Sequence, residues 1–122
     1  MQPTAEEMAI YRATARKRAQ QRRDRLNQRH QLGLSVAQQA AKTLRQDFHA
    51  QRVVLFGSMR SPEKVHERSD VDLAVWGLHP RDYFRAVGKL LAIDPDMPID
   101  VIEAESASPR MLAEIAATGV DL

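Results

Sequence analysis

Three aspartates and one Gly-Ser step are the residues best placed to do chemistry. Asp70 and Asp72 stand at i and i+2 in Ser69-Asp70-Val71-Asp72-Leu73. In a strand, residues at that spacing point to the same side. Two carboxylates held side by side repel each other, and a divalent cation removes the conflict. Mg²⁺ is a hard cation that prefers carboxylate oxygen and leaves positions open for substrate phosphates. Asp100 lies in the apolar stretch Pro98-Ile99-Asp100-Val101-Ile102, where burying a lone acid is costly. If its strand pairs beside the Asp70–Asp72 strand, the three acids can hold two Mg²⁺ about 3.5–4 Å apart, the clamp for in-line displacement at phosphorus. Upstream, Val53-Val54-Leu55-Phe56 runs into Gly57-Ser58. Gly57 permits a sharp turn and close approach to a ligand. The Ser58 hydroxyl and backbone N–H can receive phosphate. Each feature also has a plain reading. Ser69-Asp70 can cap a strand, Gly57-Ser58 can be an ordinary turn, and Asp100 can point from an edge strand into solvent.

The surrounding chain supplies the elements that position these residues. Val53–Phe56 is a β-branched apolar run suited to a strand covered on both faces. Val71, Leu73 and Val75 alternate with Asp72 and Ala74, so one face is core and the other carries the acids. Ile99–Ile102 reads as a third strand. Residues 4 to about 30 read as a helix capped by Thr4, with Gly33 breaking it and Ser35 starting a second helix. That second helix buries Val36, Ala40, Leu44 and Phe48. Pro80 opens another, with Tyr83, Phe84, Val87, Leu90 and Leu91 as its buried stripe. Ser108 and Pro109 open the last, with Met111, Leu112, Ile115 and Ala116 inward and Gly119 closing it. The expected fold is α/β, a small mixed β-sheet with helices packed on one face. Residues 1–32 are expected to be a basic helical arm and residues 33–122 the domain.

Taken together, the apolar strand, Gly57-Ser58, the eleven-residue loop Met59–Ser69 and Asp70-Val71-Asp72-Leu73 resemble the signature of the polymerase-β-type nucleotidyltransferases. In size the chain is most similar to the minimal nucleotidyltransferases, the antitoxin half of HEPN/MNT toxin–antitoxin pairs. The resemblance covers residues 35 to 120 or so. Many relatives have a shorter loop with a glycine soon after Gly-Ser; Met59–Ser69 has none. The resemblance implies that Asp70, Asp72 and Asp100 are catalytic and bind two Mg²⁺. It also implies that Gly57, Ser58, Arg60 and Ser69 bind the nucleotide, and that Asp100 stands where a base takes the proton from the attacking hydroxyl. It further implies an enzyme that transfers AMP from ATP to a tyrosine of a partner HEPN ribonuclease toxin, silencing it. Two alternatives stay open: a non-catalytic module that neutralises its toxin by contact, and a nucleotidyltransferase for a small-molecule or nucleic-acid acceptor.

Composition narrows the field. The chain has 122 residues, enough for one modest core. It has no cysteine, which removes disulfides and thiolate metal sites and suits the cytoplasm. No apolar run is long enough to span a membrane. The net charge is +2 but unevenly spread. Between residues 12 and 29 there are eight Arg or Lys and one acid, Asp24. Such a helix reads either as a docking arm or as a solvated face. Near-neutral net charge and scarce aromatics count against nucleic acid as the partner. Arg60, Lys64 and Arg68 can reach phosphates, although loop charges are usually solvated. His66 and His79 have no ligand-spaced partner, and Trp76 reads as core packing.

Overall fold

The computed structural model describes residues 1–122. One helix, α1, runs unbroken over Ala5–Phe48, about 66 Å at 1.5 Å per residue. Its N-cap is Thr4, whose side chain accepts a hydrogen bond from the Glu7 N–H at 3.1 Å. The expected break at Gly33 does not occur. Gly33 is buried inside α1, where the absent Cβ leaves room for the side chain of Met59, itself fully buried. The glycine is a packing notch, and close packing outweighs its poor helix propensity. Gly33→Ala is accordingly expected to destabilise the protein by about 1–3 kcal/mol, although alanine favours the helix. Chemical denaturation measures this directly; a stabilised variant would return Gly33 to a mere propensity defect.

Four strands follow: β1 (Arg52–Phe56), β2 (Val71–Trp76), β3 (Ile99–Glu103) and β4 (Val120–Asp121). Their order is β3-β2-β1-β4. β1 pairs antiparallel with β2 and β4, and β2 pairs parallel with β3, so the sheet is mixed as expected. Helix α2 (Tyr83–Leu91) makes the crossover between the parallel strands, and α3 (Pro109–Thr118) leads to β4. Strand alternation sorts the side chains. Val53, Leu55, Val71, Leu73, Val75, Ile99 and Val101 join the inner half of α1 and residues of α2 in the main core. Val54, Phe56 and Ala74 point the other way and meet Ile115 of α3. Thus α1 and α2 cover one face, and α3 covers part of the other. That second face also carries Asp72 and Asp100.

The helix stripes differ in detail from their expected form. In α2 the buried positions are Ala86 and Leu90, with Tyr83 and Val87 half-buried, while Phe84 is 85% exposed and Leu91 49%. The helix presents its small side to α1 and the sheet, and the Tyr83 hydroxyl donates to the Val101 carbonyl at 2.9 Å. In α3 only Ile115 is fully buried, and Ala116 faces solvent.

Candidate active site

β2 begins at Val71, so Asp70 lies just before it and Asp72 one residue inside. The parallel pairing sets Asp72 opposite Asp100. In-register residues of neighbouring strands project to the same face, with backbones about 4.8 Å apart. Asp72 is half-buried and Asp100 exposed. Burial, reinforced by the negative charges of Asp100 and Asp70, pushes the Asp72 carboxyl up to about 6. The three acids therefore share one electrostatic site, with Asp72 at its dry centre.

Gly57 forms the floor. It adopts φ +76°, ψ −161°, and a Cβ there would collide with Asp72 Oδ2. Both the backbone conformation and the space demand glycine. The chain then makes a 3₁₀ turn, Ser58–Arg60, that buries Met59 and leaves Ser58 and Arg60 half-buried. We expect Gly57→Val to push the Asp72 carboxylate off its place and to strain the turn. Mg²⁺–ATP affinity, read by calorimetry, should fall at least about ten-fold, the loss of one good charged contact. Unchanged affinity would make the turn purely structural.

Ser69 is only 2% exposed, and its hydroxyl oxygen accepts from the Ser58 hydroxyl at 2.8 Å and from the His66 N–H at 2.9 Å. It ties the Gly-Ser turn to the acid motif from within the protein. Those bonds place its hydroxyl in the loop framework rather than on the open face of the site. Ser58 remains near the rim, with its hydroxyl held by Ser69. Arg60 ends the 3₁₀ turn beside it. His66 Nδ1 accepts from the Arg68 N–H at 3.2 Å, and His79 Nδ1 from the Arg81 N–H at 3.2 Å. Both are local turn bonds. Trp76 is half-buried against the second cluster, with the Arg52 guanidinium 4.6 Å from its ring centre.

Sequence reasoning missed Arg29. Its Nε donates to the Ser69 carbonyl at 2.9 Å, and Nη2 lies 3.9 Å from Asp70 Oδ1. Arg29 sits among eight cations in a run that reads as solvated, and nothing local separates it from its neighbours. The one available signal was its place one turn before the Gly33 notch, on the side that faces the loop.

The donor set is all carboxylate, the chemistry of a hard cation. The acids do not by themselves close into a group of three or more side chains that could hold a metal. Mg²⁺ characteristically takes one or two carboxylates and fills its remaining positions with water and substrate phosphate, so the residues fit a cation that arrives with a nucleotide. No helix is long and apolar enough to cross a membrane.

Comparison with known proteins bears on the family and the fold. Residues 38–122 match the family described as Polymerase beta, Nucleotidyltransferase. No curated protein matches the chain. Among solved structures, a toxin–antitoxin crystal structure with AMP-PNP is 25% identical with a TM-score of 0.56, covering 68% of this chain and 69% of the other. A mutant MntA-HpeT toxin–antitoxin is 27% identical with a TM-score of 0.54, covering 70% and 68%. A third likeness, of fold alone, is to a tri-AMPylated Shewanella oneidensis HEPN toxin in complex with MNT antitoxin. It is 24% identical with a TM-score of 0.53 and covers 75% and 70%.

Proposed function

Because this chain belongs to the polymerase beta nucleotidyltransferase family, we propose that it is an antitoxin that transfers AMP from ATP to a tyrosine hydroxyl of a HEPN toxin. The observation that carries the reading is the register of Asp72 with Asp100, two residues along from Asp70 and over the glycine floor at Gly57. The toxin–antitoxin structures at 25% and 27% identity, one of them with AMP-PNP, support the partner and the nucleotide.

The chemistry follows from the groups present. Asp70 and Asp72 would hold Mg²⁺, with Asp100 completing the set; bound there, the metal would supply positive charge to the triphosphate. The Gly57 backbone admits the phosphates close to the sheet, and Ser58 and Arg60 line their approach. Asp100, exposed beside Asp72, is free to accept the proton of the incoming tyrosine hydroxyl. That oxygen forms a bond to the α-phosphorus, the bond to the bridging oxygen breaks, and pyrophosphate leaves with the electron pair. Positioning and charge stabilisation provide most of the rate in such transfers.

The test is direct. The chain is incubated with α-labelled ATP, Mg²⁺ and a candidate HEPN toxin. Label should appear on a toxin tyrosine and the toxin's ribonuclease activity should fall. Neutralisation without label would replace the enzyme by a module that acts through contact.

A further inference from the structure

The loop that joins the Gly-Ser turn to the aspartates is long, lacks glycine and contains no strand or α-helix. Buried Val65 and the bonds of Ser69 to Ser58 and His66 hold it from within; because Asp70 sits at its end, contacts from outside it also bear on the site. The middle of α1 touches it at successive points. The Gly33 notch receives Met59 at its start. Arg29 binds the Ser69 carbonyl and lies near Asp70 at its end. Arg22 Nε lies 3.5 Å from Glu67 Oε1. Arg23, Leu26 and Asn27 face Pro62 and Glu63 across a groove of about 260 Å³. These helix residues lie before residue 38, where the family match begins.

We propose that residues 22–33 of α1 form a splint for the catalytic loop, and that Arg29 is its positioning residue. The inference rests on the reading of Asp70 and Asp72 as the nucleotide site. Arg29 acts through Ser69. Its planar guanidinium, with a side chain 23% exposed, directs one N–H at a backbone carbonyl while its charge offsets Asp70. Ser69 in turn anchors Ser58 and His66 through its buried hydroxyl. One bond from the helix thereby sets the spacing between the Gly-Ser turn and the first aspartate. A directed charged donor suits this task better than a flexible ammonium.

Two readouts in the full chain test the splint. The first is amide hydrogen exchange at His66 and Ser69 without nucleotide; the second is calorimetric binding of Mg²⁺ with AMP-PNP. Arg29→Ala should speed exchange at both amides and weaken binding, each by about ten-fold or more. Arg25→Ala removes the same charge from an exposed position and should change neither by more than about two-fold. Arg29→Lys keeps the charge without the directed Nε–H and should recover little of the protection. Unchanged exchange in Arg29→Ala overturns the splint, as does full rescue by lysine or an equal effect from Arg25→Ala. If the wild type fails to bind Mg²⁺–AMP-PNP, the reading of the nucleotide site fails, while the exchange data still decide whether Arg29 braces the loop.

Discussion

Replacing Asp72 by Asn should cut nucleotide transfer by orders of magnitude and, in the metal-free protein, raise stability. The two effects have one cause. Asp72 is half-buried beside two other carboxylates, and its carboxyl is pushed up from 3.8 to about 6. The charged form is therefore disfavoured in the fold, and the penalty is a stability cost. The sign follows from proton linkage. Below pH 4 the acid is protonated in both states and the penalty is absent. Between pH 4 and 6 the folded state holds more protons than the unfolded state, so stability falls as pH rises. Above pH 6 the full penalty remains. A shift of this size corresponds to about 3 kcal/mol at most. Solvent screening at a half-exposed site reduces that to about 1 kcal/mol. Asn keeps the shape and removes the charge. Its melting temperature at pH 7.5 should exceed that of the wild type by about 3–5 °C, and the gain should vanish toward pH 4. Transfer should fall by about 10³-fold or more, since the central charge of the site is lost. Full activity in this variant would remove Asp72 from the mechanism. Unchanged stability would mean that the Asp72 carboxylate is better solvated than its half-buried place implies, and less opposed by Asp100 and Asp70.

The parts of the fold that were legible from sequence are those where local pattern and tertiary contact agree. β1 reads as buried on both faces, and all of Val53–Phe56 is buried. β2 alternates as its residues require, and β3 lies beside it in the register that brings Asp100 to Asp72. The parts that were not legible depend on distant partners. Gly33 looks like a helix end until Met59, from beyond β1, fills its notch. Phe84 looks like core because it is aromatic and correctly spaced, yet the space facing α2 takes Ala86 and Leu90 instead. Ser69 looks like a ligand contact because it adjoins Asp70, and it is also a buried link between the Gly-Ser turn and the acid motif. β4 is two residues long and pairs with the edge of β1, where Asp121 also meets Arg52. In the candidate site, Asp70 and Asp72 stood out only together with Gly57-Ser58, and Asp100 only through the resemblance; the parallel register then sets Asp100 opposite Asp72. Arg29, which binds the Ser69 carbonyl beside Asp70, was hidden in a run of similar cations.

The outer end of α1 carries the last expectation. Residues 5–21 are exposed, apart from a half-buried Met8, and no ion pair joins Arg12, Arg16, Lys17 or Arg18 to the rest of the chain. A helix with so little to bury gains little from its own domain, and close-set cations repel unless acids come near. Ile10 and Tyr11 are 68% and 69% exposed among these charges. An acidic protein surface carrying an apolar patch would satisfy both features. Because α1 is continuous and contacts the loop from Arg22 onward, this segment extends beyond the loop, where the acceptor of the proposed reaction would dock. Removing residues 1–30 would also remove Arg22 and Arg29 and would confound docking with loop geometry. Removing residues 1–21 separates them. The shortened chain should bind Mg²⁺–AMP-PNP as the full chain does. It should bind its toxin more weakly by about 100-fold at low salt, chiefly through slower association, and with a smaller dependence on ionic strength. Equal toxin affinity in the two chains would make the outer helix a solvated extension with no role in docking.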